Sequence, residues 1–179
     1  METKDETIKR IALIGPESTA KSTLTEALAL HYNTNFVAEY AREYLQKINR
    51  KYTLNDVIEI AKKQFEKEQL LLVDSNHFIF VDTEAIIAKV WCMDVFGHFP
   101  DWIKNNIQNH PYDLYLLTYP DIPWKPDSLR ENAHRRNYFF EVYENELKVI
   151  GANYAIIKGF EGERLENCIL LIDKHFSAR

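Results

Sequence analysis

Nine residues near the start of the chain carry the strongest chemical signal. Gly15-Pro16-Glu17-Ser18-Thr19-Ala20-Lys21-Ser22-Thr23 reads G-x-x-x-x-A-K-S-T, one residue from the phosphate-binding pattern G-x-x-x-x-G-K-[ST]. In that pattern the loop turns backbone N–H groups toward a phosphate chain, a Lys reaches the β- and γ-phosphates, and a hydroxyl ligates Mg²⁺. The apolar run Ile11-Ala12-Leu13-Ile14 before it suits a buried parallel strand. Leu24, Ala27 and Leu28 after it have helical spacing. Strand, loop and helix therefore come in the required order. The irregularity is Ala20. If that position needs a positive φ, Ala costs on the order of 1 kcal/mol relative to Gly.

Three further segments offer chemistry that fits such a loop. Phe78-Ile79-Phe80-Val81 runs into Asp82-Thr83-Glu84, and an Asp at a strand end beside a phosphate loop helps to hold Mg²⁺. Glu39-Tyr40-Ala41-Arg42-Glu43-Tyr44 follows another short apolar run. There Glu39 can orient or deprotonate a hydroxyl, and Arg42 can steady that carboxylate or meet a transferred phosphoryl group. Arg130, Arg135 and Arg136 follow a loop containing Pro120, Pro123, Trp124 and Pro126. They read as a lid whose guanidinium groups meet phosphate charge, with His134 a surface residue. Tyr40, Tyr44, Trp91 and Trp124 stand near these segments, and two of them can sandwich a flat ring.

The elements that must position these groups alternate along the chain. Strands are predicted at 8–14, 35–38, 77–81, 112–117 and 154–158. Helices are predicted at about 21–32, 40–49, 54–73, 84–96, 101–109, 135–150 and 163–175, with Thr53 capping the third. This alternation predicts an α/β fold: a three-layer α/β/α sandwich around a mainly parallel five-stranded sheet, with ligands beyond the carboxyl ends of the strands. Residues 1–179 are expected to form a single domain with a lid at about 125–137. A formal net charge of −5 with scattered Lys and Arg gives no nucleic-acid surface. The two cysteines, Cys92 and Cys168, have no metal-ligand spacing and read as reduced core thiols. Met1 to Lys9 is charged and lacks a signal-like apolar stretch, and no run is long enough to span a membrane, so a cytoplasmic protein is expected.

Together these pieces resemble the nicotinamide riboside kinase domain of the NadR type. That family has a loop like G-G-E-S-S-G-K-S-T, then E-Y-[AG]-R-[DE]-Y, a strand ending D-T-[DE], and W-x-x-D-G-L-R. Here they stand as Gly15 to Thr23, Glu39 to Tyr44, Asp82 to Glu84, and Trp124 to Arg130, in the same order over roughly residues 9–175. Ala20 and Ser128 replace glycines, and Ala38 stands where the family can have an aromatic. The loop of the minichromosome-maintenance replicative helicases has a similar A-K-S ending. The resemblance implies a P-loop kinase-like fold and ATP-dependent phosphorylation of the 5′-hydroxyl of nicotinamide riboside or a related nucleoside in NAD salvage. It implies ATP and Mg²⁺ as cofactors, with Gly15, Glu17, Ser18, Thr19, Ala20, Lys21, Ser22, Thr23 and Arg135 on the nucleotide and Ser22 and Asp82 on the metal. Lys21, Glu39, Asp82 and Arg130 would act in transfer, with Glu39, Tyr40, Arg42, Trp91 and Trp124 on the nucleoside. Either Glu39 or Asp82 would be the base. Because the chain begins almost at its first strand, a free-standing kinase without the regulator's DNA-binding and adenylyltransferase domains is expected. The alternatives are a kinase of another nucleoside, nucleotide or vitamin alcohol, and an ATP-binding regulatory module without transfer activity.

Overall fold

The computed structural model describes residues 7–177, so part of the N-terminal segment read above, Met1 to Glu6, lies outside the described residues. Five strands form one sheet: β1 (Lys9–Ile14), β2 (Phe36–Val37), β3 (Phe78–Asp82), β4 (Leu114–Thr118) and β5 (Tyr154–Ile157). Their spatial order is β2-β3-β1-β4-β5, and every pairing is parallel. The helices are α1 (Lys21–His31), α2 (Tyr40–Lys47), α3 (Leu54–Leu72), α4 (Ala85–Phe96), α5 (Asp101–Asn109), α6 (Arg136–Val149) and α7 (Glu161–Ser177). A 3₁₀ turn, Ala133–Arg135, precedes α6.

The short apolar strands lie inside because both of their faces are covered. Ile11 and Leu13 of β1, Phe80 of β3 and Leu114 and Leu116 of β4 pack with Leu24 and Leu28 of α1 and Cys168 and Ile172 of α7. Their alternates Ala12, Ile14, Ile79, Val81, Tyr115 and Leu117 face Ile86 and Val90 of α4 and Phe139, Phe140, Tyr143 and Leu147 of α6. This two-sided burial produces the continuous apolar runs of the sequence and the three-layer sandwich. A smaller cluster of Val57, Ala61, Ala88, Cys92 and Ile103 joins α3, α4 and α5. Both cysteines are buried and unpaired. Among the described residues, no helix is long and apolar enough to cross a membrane.

Two devices fix the edge that carries the site. Thr53 and Asp56 form a reciprocal capping box at the start of α3. The Asp56 carboxylate also takes two bonds from Arg50, at 2.6 and 2.8 Å, and one from the Tyr44 hydroxyl at 2.7 Å. These donors hold Asp56 well below the usual carboxylate range and tie the connection from α2 to α3 against both helices. Farther back, Glu68 of α3 accepts from Arg10 Nε at 2.7 Å and from the Tyr112 hydroxyl at 2.6 Å. That buried network fastens α3 to β1 and to the start of β4.

Candidate active site

The phosphate loop joins β1 to α1 at the carboxyl end of the central strand. Gly15 has φ 140°, and a Cβ there would meet the Thr118 carbonyl oxygen at 2.8 Å, so only Gly passes this close to β4. Ser18 and Ala20 are left-handed, at φ 57° and 68°. Ala20 therefore occupies the conformation in which Gly is favoured, and it has no side chain able to cap α1. The first N–H groups of α1 thus lack a side-chain partner and sit at the positive end of the helix dipole, the usual setting for an anion. Lys21 Nζ lies across the loop, 2.9 Å from the carbonyls of both Gly15 and Pro16. Thr19 is turned inward, its hydroxyl 2.7 Å from the Pro16 carbonyl and 2.6 Å from Thr118 Oγ1; that hydroxyl braces the loop and is not offered to a ligand.

Ser22 Oγ donates to Asp82 Oδ2 at 2.5 Å. Asp82 is buried below Ser22, at the end of β3. Burial raises its pKa, while Lys21 and the Ser22 hydroxyl oppose that rise. The next residue, Thr83, has φ 75°, a rare conformation for a β-branched side chain and a form of strain that recurs at functional sites. Glu84 caps α4 through the Ile86 N–H at 2.9 Å, and full burial pushes its pKa up to about 8.

Glu39 lies at the entry to α2, and its carboxylate makes no cap bond to that helix. Burial first, and then the Asp82 charge, raise its pKa; Lys21 and Arg42 act in the other direction. One cavity of about 830 Å³ is lined by the whole loop Gly15 to Thr23, by Glu39 and Arg42, and by Trp91, Arg130 and Arg135. Asp82 is one hydroxyl back from its wall.

Residues of the connection from β4 to α6 lie on the loop. Lys125 N donates to Ser18 Oγ at 2.9 Å, and the Glu17 carboxylate accepts from the backbone N–H groups of Glu131 and Asn132 at 3.2 and 2.9 Å. Arg42 pairs with Asp127 at 2.9 Å, Arg130 donates to the Lys125 carbonyl at 2.7 Å, and Arg135 pairs with Asp94 at 2.5 Å. Arg136 donates to the Ile122 carbonyl at 2.9 Å and is not on the cavity wall. His134 is exposed.

Two of the aromatic residues expected on the nucleoside stand off the cavity in this structure. Tyr40 does not reach the cavity: its ring packs under Lys67, 4.4 Å from Nζ, and against Tyr44, because the inward face of α2 is Ala41, Arg42 and Leu45. Trp124 also stands off the cavity, against the Arg136 guanidinium at 5.9 Å. The aromatic wall comes instead from Trp91 with Tyr52, centroids 5.0 Å apart, and from Phe139 and Tyr143 of α6. Sequence reasoning missed Tyr52, Asp94, Phe139 and Tyr143. The only signals for them were the i, i+4 spacing of Phe139 with Tyr143 and the position of Asp94 three residues after Trp91.

Known proteins share the fold. The chain is 27% identical over 175 residues to the trifunctional NAD biosynthesis/regulator protein NadR of Salmonella typhimurium, covering 92% of this chain and 42% of that protein. The chain thus spans less than half the length of this curated relative. A crystal structure of NadR protein in complex with NR superposes with a TM-score of 0.82 at 23% identity, over 94% of this chain and 52% of that one. A deoxyadenosine kinase from M. mycoides superposes with a TM-score of 0.65 at 11% identity, over 92% of this chain and 99% of that one. The sandwich with the strand order described above is thus a nucleoside-kinase-like fold. A model of the AAA domain family matches residues 10–164, which is most of the chain, and the chain belongs to that family.

Proposed function

We propose that this protein is an ATP-dependent kinase that phosphorylates the 5′-hydroxyl of nicotinamide riboside or a related nucleoside, working as one domain with a lid at about 125–137. One observation carries the reading: a single cavity of about 830 Å³ runs from the phosphate loop to Glu39, Arg42 and an aromatic wall. A module that only held ATP would have no use for the second end. The relative's name and the NR complex supply the nucleoside.

In this reading Lys21 and the loop amides hold the β- and γ-phosphates, and Lys21 exchanges its two carbonyl partners for them. Ser22 and Asp82 fit Mg²⁺: a hydroxyl and a buried carboxylate oxygen converge within 2.5 Å, and hard oxygen donors of this kind suit that ion. Bound there, Mg²⁺ would neutralise charge on the β- and γ-oxygens. Glu39 is the better candidate for the base. Its carboxylate lines the cavity and forms no hydrogen bond among the described residues, whereas that of Asp82 is engaged by Ser22. Raised above the ordinary carboxyl range, Glu39 is also a stronger proton acceptor. Arg130 and Arg135 meet phosphate charge from the lid, and Arg42 steadies the acceptor end. Positioning and charge stabilisation supply most of the rate in such transfers.

Single-turnover transfer and Mg²⁺ affinity, measured for Glu39→Gln and Asp82→Asn, test these roles. Glu39→Gln should lose transfer with Mg²⁺ affinity kept, and Asp82→Asn should lose both. Wild-type ADP release that no nucleoside stimulates would refute the kinase reading.

A further inference from the structure

Helix α2 is capped by a residue far away in sequence. Glu39 occupies the capping position, yet its side chain makes no cap bond. The Tyr40 N–H belongs to the first turn, so the helix itself offers it no acceptor. The acceptor comes from α3: Gln64 Oε1 lies 2.8 Å from Tyr40 N. The other end of the same amide donates, with Gln64 Nε2 2.9 Å from the carbonyl oxygen of Asp82. Strand β2 ends at Val37, opposite Val81. The Asp82 carbonyl therefore stands one residue past the last β2–β3 pair, where the two chains part, and Gln64 fills the gap between them. Gln64 is 5% exposed, so both ends of its amide need partners. A carbonyl only accepts and an N–H only donates, which fixes the orientation of the amide.

We propose that Gln64 is a positioning residue for phosphoryl transfer: it holds the backbones of Glu39 and Asp82 at one separation and, by capping α2 from outside, leaves the Glu39 carboxylate free to face the substrate. It touches no reacting atom. The inference rests on the kinase reading with Glu39 as base. A buried Gln that merely satisfied two backbone groups would serve stability alone, and the two roles differ in kinetics and in pH dependence.

The test uses the full chain with ATP and nicotinamide riboside, comparing wild type, Gln64→Met and Gln64→Glu across mildly acid to alkaline pH. Gln64→Met fills the space and makes neither bond. Its kcat should fall by roughly tenfold to a hundredfold, as for displacements of an ångström or less, with the KM for ATP near that of wild type. Hydrogen exchange of the Tyr40 amide should accelerate in this variant. The carboxyl introduced by Gln64→Glu makes both bonds only when protonated, its carbonyl accepting from Tyr40 and its hydroxyl donating to Asp82. Glu39 and Glu84 line the small cavity beside it, and the Asp82 carboxylate is on the residue that it contacts. These charges and burial favour the protonated form. The ratio of its kcat to that of wild type should therefore fall as pH rises, and a parallel Tyr40 exchange measurement across the same range should accelerate with it. Gln64→Glu at acid pH also serves as the folded control if Gln64→Met melts. A pH-independent ratio, or unchanged Tyr40 exchange in Gln64→Met, overturns the role of Gln64 while an active wild type leaves the kinase reading standing. A wild type that transfers phosphate to no nucleoside overturns the kinase reading itself.

Discussion

Replacing Ala20 with Gly asks how much the irregular loop costs the protein. Ala20 stands at φ 68°, ψ 22°. Holding an L-residue in that region costs about 1–2 kcal/mol, which Gly avoids. Two effects oppose the relief. Gly gives the unfolded chain more freedom, which costs about 0.4–1 kcal/mol. The Ala20 methyl is half-buried against the cluster of Leu13, Leu24 and Phe80, and losing it removes about half of the ~0.8 kcal/mol of a buried methylene. These contributions nearly cancel, so the net change is within about 1 kcal/mol, or a Tm shift of less than ~4 °C for a chain of this size. The loop is already left-handed at this position with Ala present, so the amides that meet phosphate keep their directions. ATP affinity should then change by less than about tenfold, which is ~1.4 kcal/mol. Thermal melts and calorimetric titration with a non-hydrolysable ATP analogue read both quantities. A Gly variant that binds more than tenfold tighter, or melts well outside that window, would show that the alanine loop is not preset, and the reasoning fails.

Two further outcomes follow from the site and its support. Lys21→Ala should cut kcat by at least roughly 100-fold, the usual loss when a charge-stabilising donor is removed, and near-normal nucleoside-dependent ADP release from this variant would defeat the phosphate-loop assignment. Glu84 is raised from 4.5 to about 8 by burial, so the folded protein binds this proton more tightly than the unfolded chain; its stabilising contribution is complete below pH 4.5 and is lost as pH rises through about 8. The loss is on the order of 5 kcal/mol at most; denaturant melts across this range should slope downward for wild type and flatten for Glu84→Gln, which keeps the acceptor for Ile86, and parallel slopes would exclude Glu84 as the source.

The layers of the fold were legible because burial on both faces writes itself into composition. Each predicted strand overlaps an observed one to within two residues at either end, and the helix expected at 101–109 is α5 as found. The cap at Thr53 was legible because its signal is local, and the structure adds the reciprocal bond from Asp56. The phosphate loop and the strand-end carboxylates were legible because ligands in such sheets gather at the carboxyl ends. What escaped depends on helix phase and on contacts distant in sequence. Tyr40 and Ala41 are adjacent, yet only Ala41 lines the cavity, and the turn that decides this is set by α2 packing on α3. Gln64 lies 24 residues from Tyr40 and 18 from Asp82, with nothing local to distinguish it from other polar residues of an amphipathic helix. Tyr52 precedes a helix cap in a connection whose path is dictated by the bonds from Arg50 and Tyr44 to Asp56. Thr83 gives no hint in sequence that its backbone is left-handed.

The charges around the cavity show why a site so full of arginine is stable without an anion and still receptive to one. Arg135 stands just before α6, at the positive end of a helix dipole, where cations are disfavoured, and Arg130 lies in the connection leading to that helix. Both are already engaged, Arg135 by the Asp94 carboxylate and Arg130 by the Lys125 carbonyl, and across the cavity Arg42 is held by Asp127. The two ion pairs are partly exposed, and pairs of that kind contribute only about 0–1 kcal/mol each. A charge-assisted bond from a guanidinium to phosphate contributes about 1.5–3 kcal/mol. Under the proposed function, each Arg that turns exchanges a singly charged carboxylate or a neutral carbonyl for a more highly charged phosphate. The same holds for Lys21, whose two present partners are neutral carbonyls. Carboxylates and carbonyls thus hold the cations in place, and under the proposed function each yields to phosphate.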